Sequence, residues 1–350
     1  MISITENKKG YIYFSISLLL SAFLVWYLLS QIKLEDIYKT FKNLYPTTLM
    51  LYFFLAICGV LARSYRYYIL ISSKSRRIKF KDLILVTLVR NLFVDFLPAR
   101  IGSLSYVYLL NRKLGFPFEI AASTFLISFI LDFIVVFPML FFAIMMVGIN
   151  VFPVTSFPFI MISMVLLIFL VLLLVYLNRL VKVFADLLTW CLKILGKEGN
   201  LRLTGLIEKL LLTAKDIENI RERKIYGNVL LSSLAVRLFK YSSLYFLLHS
   251  VLVHLNFKMT DLNFWKVFLG ILGAEFSALL PVHGIAGIGT WESAWVLIFK
   301  LLGFFDPDVA IISGFSVHII TQMFEYSLGI LSIILLYLPF KKLLSVKKRT

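Results

Sequence analysis

The sequence predicts an all-α, polytopic integral membrane protein of about six spanning helices plus two re-entrant helical hairpins in an inverted repeat. Three observations predict it. Apolar runs of bilayer-spanning length recur from one end of the chain to the other, Lys and Arg gather at alternate ends of those runs, and one ordered set of motifs occurs twice. Hydrophobic residues fill 60% of the 350 positions and charged residues only 16%, where soluble domains carry roughly 25% charged residues. A span needs about 20 apolar residues, and the runs at 11–30, 47–71, 118–147, 157–177, 225–255 and 309–338 meet that length. They must be helices. A backbone facing lipid satisfies its N–H and C=O groups only in a helix or a closed barrel, and a barrel would show alternation instead of continuous apolar runs.

Taken in order, the elements orient themselves by charge. Lys8 and Lys9 precede the first run, which lacks a small-residue cleavage pattern and is expected to stay on the protein, with the N-terminus cytoplasmic. After the second run, residues 74–81 hold five basic and no acidic residues, an inside signal. The segment 82–114 breaks at Pro98, with Gly102 beyond it, and is expected to enter and leave on the inner side as a hairpin. The third run is followed by the uncharged stretch 148–156, which suits the outside, and the fourth by 178–224, with ten basic and six acidic residues. In that connector Leu180, Phe184, Leu187, Leu188 and Leu195 recur at near-helical intervals, the pattern of an interfacial amphipathic helix. The segment 262–302 breaks at Pro281, near Gly284, Gly287 and Gly289, and forms the second hairpin, from the outer side. The tail 341–349 has five basic residues and stays inside. The organisation is therefore a first membrane half (1–177), a cytoplasmic connector (178–224) and a second membrane half (225–350).

The halves share an order of parts. Arg63-Ser64-Tyr65-Arg66-Tyr67 precedes Leu97-Pro98, then Leu114-Gly115-Phe116 and a long apolar run; Arg237-Leu238-Phe239-Lys240-Tyr241 precedes Leu280-Pro281, then Leu302-Gly303-Phe304 and another. By the charge pattern the two units start from opposite sides, an inverted-topology repeat of the kind found in transporters.

Charged side chains inside apolar runs cost on the order of 3 kcal/mol each on insertion scales, so they face a cavity, a partner or a substrate. The basic set is Arg63, Arg66, Arg90, Arg100, Arg237 and Lys240; the acidic set is Asp95, Asp132, Glu275, Glu292 and Glu325. Guanidinium groups bind phosphate oxygens in planar, bidentate fashion, so the basic set suits a lipid phosphate. Arg63 and Arg66 are one turn apart and share a helix face. Asp132 and Glu325 lie deep in long runs and require partners, an arginine or a proton, and Glu292 stands at the start of a hairpin arm after Gly287-Ile288-Gly289-Thr290-Trp291.

Cys58 and Cys191 fall in apolar or amphipathic helix and are expected to pack; His249, His254, His283 and His318 show no metal-ligand spacing, so neither a metal nor another cofactor is expected. The sequence has no nucleophile elbow, P-loop or Ser-His-Asp arrangement and is not expected to be an enzyme. The net charge of +17 sits at span ends, where it sets orientation, which argues against a nucleic-acid partner.

Asn91 through Leu97-Pro98-Ala99-Arg100-Ile101-Gly102, Asn111-Arg112-Lys113-Leu114-Gly115, Asp132, and Leu280-Pro281 through Gly287-Ile288-Gly289-Thr290-Trp291-Glu292 carry a resemblance over nearly the whole chain. The chain resembles the transmembrane, flippase-like domain of bacterial lysylphosphatidylglycerol synthases and its stand-alone relatives. Ser128 and Phe129 stand where that family often has a Glu-Arg pair before the aspartate. The resemblance implies a multi-pass protein of the cytoplasmic (inner) membrane that moves an anionic or aminoacylated phospholipid, or a polyprenyl-linked lipid, between leaflets. It does not imply lysyl-lipid synthesis, because the aminoacyl-transfer domain of full-length synthases is absent from these residues. Two other readings stay open: an ion-coupled transporter of a small solute, and a non-transporting subunit that docks an envelope enzyme through the connector; the partners expected besides lipid are such an enzyme or a second copy of this chain.

Overall fold

The structure is a computed structural model that describes residues 19, 22–71, 78–147, 156–196, 200–277 and 285–337. The described residues form helices joined by short turns, with no strand among them. Helix α1 covers residues 22–29, and α2 (Leu34–Lys42) carries Glu35 and Asp36 in its first turn and Lys39 and Lys42 in its last, matched to the helix dipole. Helix α3 (Pro46–Ile71) opens on a proline, which has no N–H to leave unpaired. It is followed by α4 (Phe80–Phe96), the short α5 (Ser105–Tyr108), α6 (Phe118–Val147), α7 (Ser156–Val175), α8 (Leu177–Ile194), α9 (Leu201–Glu222), α10 (Tyr226–Leu252), α11 (Phe264–Ser277), α12 (Thr290–Leu301) and α13 (Pro307–Tyr337).

Among the described residues, α3, α6 and α13 are each long and apolar enough to cross a bilayer, and α7 with α8 makes a fourth candidate if that bent pair is one span. Their outward side chains are left exposed by the protein, as lipid requires. The first expected span, 11–30, is described only in part. Helix α10 has the length of a span, but Arg237, Lys240 and several serines interrupt its apolar character, and it lies along α3 in the interior. Helix α8 bends 69° from α7 and leaves Leu180, Phe184, Leu187 and Trp190 exposed.

The arms of the two expected hairpins are short. At about 1.5 Å per residue, α11 and α12 run roughly 20 Å each, less than the ~30 Å of a hydrocarbon core. They pack against one another, so closely that a Cβ on Gly270 would collide with the Phe299 ring. In the first hairpin α4 ends at Phe96, Leu97 is extended, and Pro98 starts a 3-10 turn. The second arm is not one continuous helix. It comprises the 3-10 turn Pro98–Leu104, one α turn and the π turn Leu109–Lys113. Its cause is local: Gly102 folds back onto α4, where a Cβ would meet the backbone of Phe93 and Val94, and the Asn111 amide donates to the Phe116 carbonyl at 2.8 Å. The break at Pro281 lies outside the described residues.

Helices α3 and α10, which carry the repeated Arg-x-x-basic-Tyr motif, pack most extensively of all. Each motif tyrosine is buried against an aromatic ring further along its own half: Tyr67 stacks on Tyr106 at 4.2 Å and Tyr241 meets Phe268 edge-on at 4.5 Å. The halves also exchange partners, α4 packing on α13 and α11 on α6.

Candidate functional site

Between α3, α4 and α10 to α13 lies a cavity of about 200 Å³ whose wall is unusually ionic for a membrane interior. Of the residues singled out in the sequence, Arg63, Arg90, Asp95, Asp132, Arg237, Lys240, Glu275 and Glu325 line it. Arg66 and Glu292 stand behind its wall, and the Arg100 side chain lies outside the described residues.

The deepest element is a charge cluster that ties three helices. Arg66, 1% exposed, donates from Nη1 and Nη2 to the two oxygens of Asp132, at 2.6 and 3.4 Å, and from Nη1 to Ser233 Oγ at 3.0 Å. Arg237 Nη2 approaches the same carboxylate at 3.6 Å. Helices α3, α6 and α10 thus meet at one buried ion cluster, and the partner of Asp132 comes from other helices, although Ser128 and Phe129 precede it on its own. The shared face expected for Arg63 and Arg66 is divided. Arg66 turns into the cluster, while Arg63 opens onto the cavity.

Arg63 and Arg90 are held differently. Both donate to the same amide oxygen, Asn91 Oδ1, at 3.1 and 3.3 Å. Among the described residues neither guanidinium has a carboxylate within ion-pair distance, and Arg90 Nε–H is buried without an acceptor. Two like charges converging on one neutral oxygen, in surroundings less polar than water, repel each other; an anion placed between them would relieve that repulsion. On the opposite wall, Lys240 pairs with Glu275 at 2.6 Å, joining α10 to α11. Asp95 on α4 and Glu325 on α13 both line the cavity.

Glu292, His318 and Gln322 form a second network, in which His318 and Gln322 line the cavity and Glu292 stands behind them. Glu292 is 1% exposed; its Oε2 accepts the Gly289 N–H at 2.7 Å, a capping-box contact that starts α12, and its Oε1 lies 2.6 Å from His318 Nδ1. A carboxylate only accepts, so Nδ1–H is the donor, and Nε2 is left to accept from the Gln322 amide at 2.7 Å. The second N–H of that amide reaches the Ala286 carbonyl. Ala286 has φ +56°, a left-handed conformation that costs a non-glycine residue about 1–2 kcal/mol, and the Gln322 contact holds it. The His318 ring stacks on Trp291 at 4.6 Å, and both line the cavity.

Replacing Glu292 with alanine should therefore act through structure. It removes the α12 cap and strands the His318 donor, at a cost of about 1–3 kcal/mol, read as a lower melting temperature of the purified protein, with Glu292→Gln recovering part. Unchanged melting would identify Glu292 instead as a ligand contact. His318, Gln322 and Asn91 were not singled out as site residues in the sequence. A signal for two of them was present: His318, Gln322 and Glu325 recur at helical spacing on one face of an apolar run.

A smaller recess of about 60 Å³ continues from the cavity. It shares Arg90, Val94, Asp132, Arg237 and Glu275 and is otherwise lined by Phe129, Phe133 and Phe276 together with Ser103, Val136 and Leu272; Phe129 and Phe276 are exposed on the bundle surface. The ionic site thus grades into an aromatic one towards the outside of the bundle.

No curated protein matches the chain at a significant level. The family described as the lysylphosphatidylglycerol synthase TM region matches it over residues 14–329, which include every residue that lines the cavity. The chain is a member of the lysylphosphatidylglycerol synthase transmembrane-region family.

Proposed function

We propose that the protein carries a phosphate-bearing lipid, an anionic or aminoacylated phospholipid or a polyprenyl-linked lipid, between the leaflets of the cytoplasmic membrane, with both termini inside and without covalent chemistry of its own. The observation that carries this reading is the Arg63–Arg90 pair, two guanidiniums that converge on Asn91 with no carboxylate partner among the described residues. Guanidinium forks suit the planar presentation of phosphate oxygens. Membership of a membrane lipid-related family supports the same substrate class. The aromatic recess favours a lipid over a water-soluble solute. A headgroup would sit among the charges while its chains stay beside Phe129 and Phe276. In this reading the hairpins at 82–114 and 262–302 enter from opposite faces, and headgroups pass along the polar path between them, as in transporters built from inverted repeats. The exchange of contacts between halves, α4 on α13 and α11 on α6, supports that symmetry.

Purified protein in vesicles, with labelled phosphatidylglycerol in the inner leaflet and a membrane-impermeant quencher outside, should speed the appearance of quenchable label relative to empty vesicles. Absence of acceleration for anionic, aminoacylated and polyprenyl-phosphate lipids alike would sink the proposal.

A further inference from the structure

We propose that α8 is an in-plane membrane anchor, which seats its outward apolar stripe at the acyl boundary and binds anionic phospholipid headgroups through the basic residues beside it. The inference does not depend on what the cavity carries.

Helix α7 (Ser156–Val175) has 20 residues, and at about 1.5 Å per residue it matches the ~30 Å of a hydrocarbon core without help from α8. Its residues 161–175 contain no charge, whereas α8 holds Arg179, Lys182, Asp186 and Lys193. For a span near the membrane normal, the 69° bend between the two helices lays α8 close to the membrane plane.

At 3.6 residues per turn, α8 has three faces. Leu177, Ala185 and Leu192 are buried on the side that packs along α9. Leu180, Val183, Phe184, Leu187, Trp190 and Ile194 recur at three- and four-residue steps and form a second apolar stripe, each 46% to 63% exposed. The remaining side carries Arg179, Lys182, Asp186, Thr189 and Lys193, all exposed. Water would leave the apolar stripe hydrated, and hydrocarbon would bury the charges, so neither medium alone suits the helix. The boundary between them suits both faces.

Charge selects the lipid at that boundary. Basic residues outnumber Asp186 on the polar side, and among the described residues Arg179 and Lys193 have no carboxylate within ion-pair distance. Lys182 meets Glu218 at 3.5 Å with both side chains open to solvent. Basic groups held beside a membrane-facing stripe attract anionic headgroups. Helix α9 passes this seat on to the cavity. Arg223, just beyond α9, donates to the Ile69 and Leu70 carbonyls at the end of α3 at 2.8 and 2.9 Å, and Asp216 accepts from Ser123 Oγ on α6 at 2.6 Å. The depth of α8 in the bilayer thereby fixes the depth of the helices that hold Arg63, Arg66 and Asp132.

The test uses the full chain with Cys58→Ser and Cys191→Ser, in vesicles of equal parts phosphatidylcholine and phosphatidylglycerol. Nitroxide labels are placed singly at Val183→Cys, Leu187→Cys and Ile194→Cys on the stripe, and at Asp186→Cys and Thr189→Cys on the polar side. Collision with oxygen, which concentrates in lipid, is compared with collision with a nickel chelate, which stays in water. Stripe labels should favour oxygen several-fold over the polar-side labels and read roughly 5–10 Å below the phosphates. Nickel reaching both sets equally would place α8 in water. Oxygen reaching both sets with nickel excluded would make α8 part of a broken span. Stripe labels shielded from both reagents would mean that protein, such as a second copy of this chain, covers the face. Each of these three results overturns the anchor. The choice of lipid is read separately. Omitting phosphatidylglycerol, or combining Arg179→Gln with Lys193→Gln, should lower the oxygen preference of the stripe labels; a preference unchanged by both overturns the anionic-lipid contact.

Discussion

Replacing Asp132 with alanine is expected to cost about 3–5 kcal/mol and to strip most of the folded protein from detergent extracts. The carboxylate accepts two hydrogen bonds from Arg66 and faces Arg237 at 3.6 Å, and Arg66 is 1% exposed. Removing it leaves two guanidiniums in a buried cluster with Ser233 Oγ as the remaining acceptor of Arg66. Neither arginine can shed its proton to escape, since guanidinium stays charged in proteins. Asp132→Asn should fall between wild type and alanine, because the amide keeps an acceptor but not the charge. Whole-cluster replacement separates stability from function. Arg66→Met, Asp132→Leu and Arg237→Met together remove every buried charge at once, and replacing complete buried ion clusters by apolar residues is often neutral or stabilising. That triple variant should fold far better than Asp132→Ala and still fail to move lipid, because Asp132 and Arg237 line the cavity. Fluorescence-detected size exclusion after a heat step reads the outcome. An Asp132→Ala protein that melts within about 1 kcal/mol of wild type would show that the cluster carries little stability.

Continuous apolar runs with capped or charged ends gave the long helices α3, α6 and α13 directly, because length and hydropathy are local properties. The repeated Arg-x-x-basic-Tyr motif pointed to α3 and α10, the pair packed most extensively. The ionic residues of the cavity were legible for a similar reason: a charge inside an apolar run is costly wherever it sits, so its presence alone announces a polar interior. Which charges pair was not legible. Arg63 and Arg66 lie one turn apart and share a face in sequence, yet one turns into the interior cluster and the other into the cavity, a division set by the positions of α4, α6 and α10. The partner of Asp132 lies 66 positions away on α3. Glu292 offered a glycine-rich approach suited to a ligand, and the structure gives both its oxygens to Gly289 and His318. The irregular arm after Pro98 escaped because Leu104, Val107 and Leu110 look helical, while the constraint that breaks the helix is the contact of Gly102 with α4.

Arg63→Ala and Arg90→Ala should each reduce lipid movement about 10-fold to 100-fold, because each removes a charge-assisted contact worth about 1.5–3 kcal/mol. The double variant should lose less than the product of the two, since both side chains address one phosphate. Lysine at either position keeps the charge but not the fork, and is expected to restore only part of the activity. Their effect on stability should have the opposite sign to that of Asp132→Ala. In the empty protein these two guanidiniums repel each other across one amide oxygen, and taking one away removes repulsion while freeing Asn91 for its neighbour. Melting temperature should therefore hold or rise as transport falls, the expected behaviour of groups kept for a ligand at some cost to the fold. Arginines that served only to brace α3 against α4 would do the reverse. Wild-type transport rates in both alanine variants, or melting lowered in both by several degrees, would remove the anion site from the mechanism and leave the cavity without a binding group for phosphate.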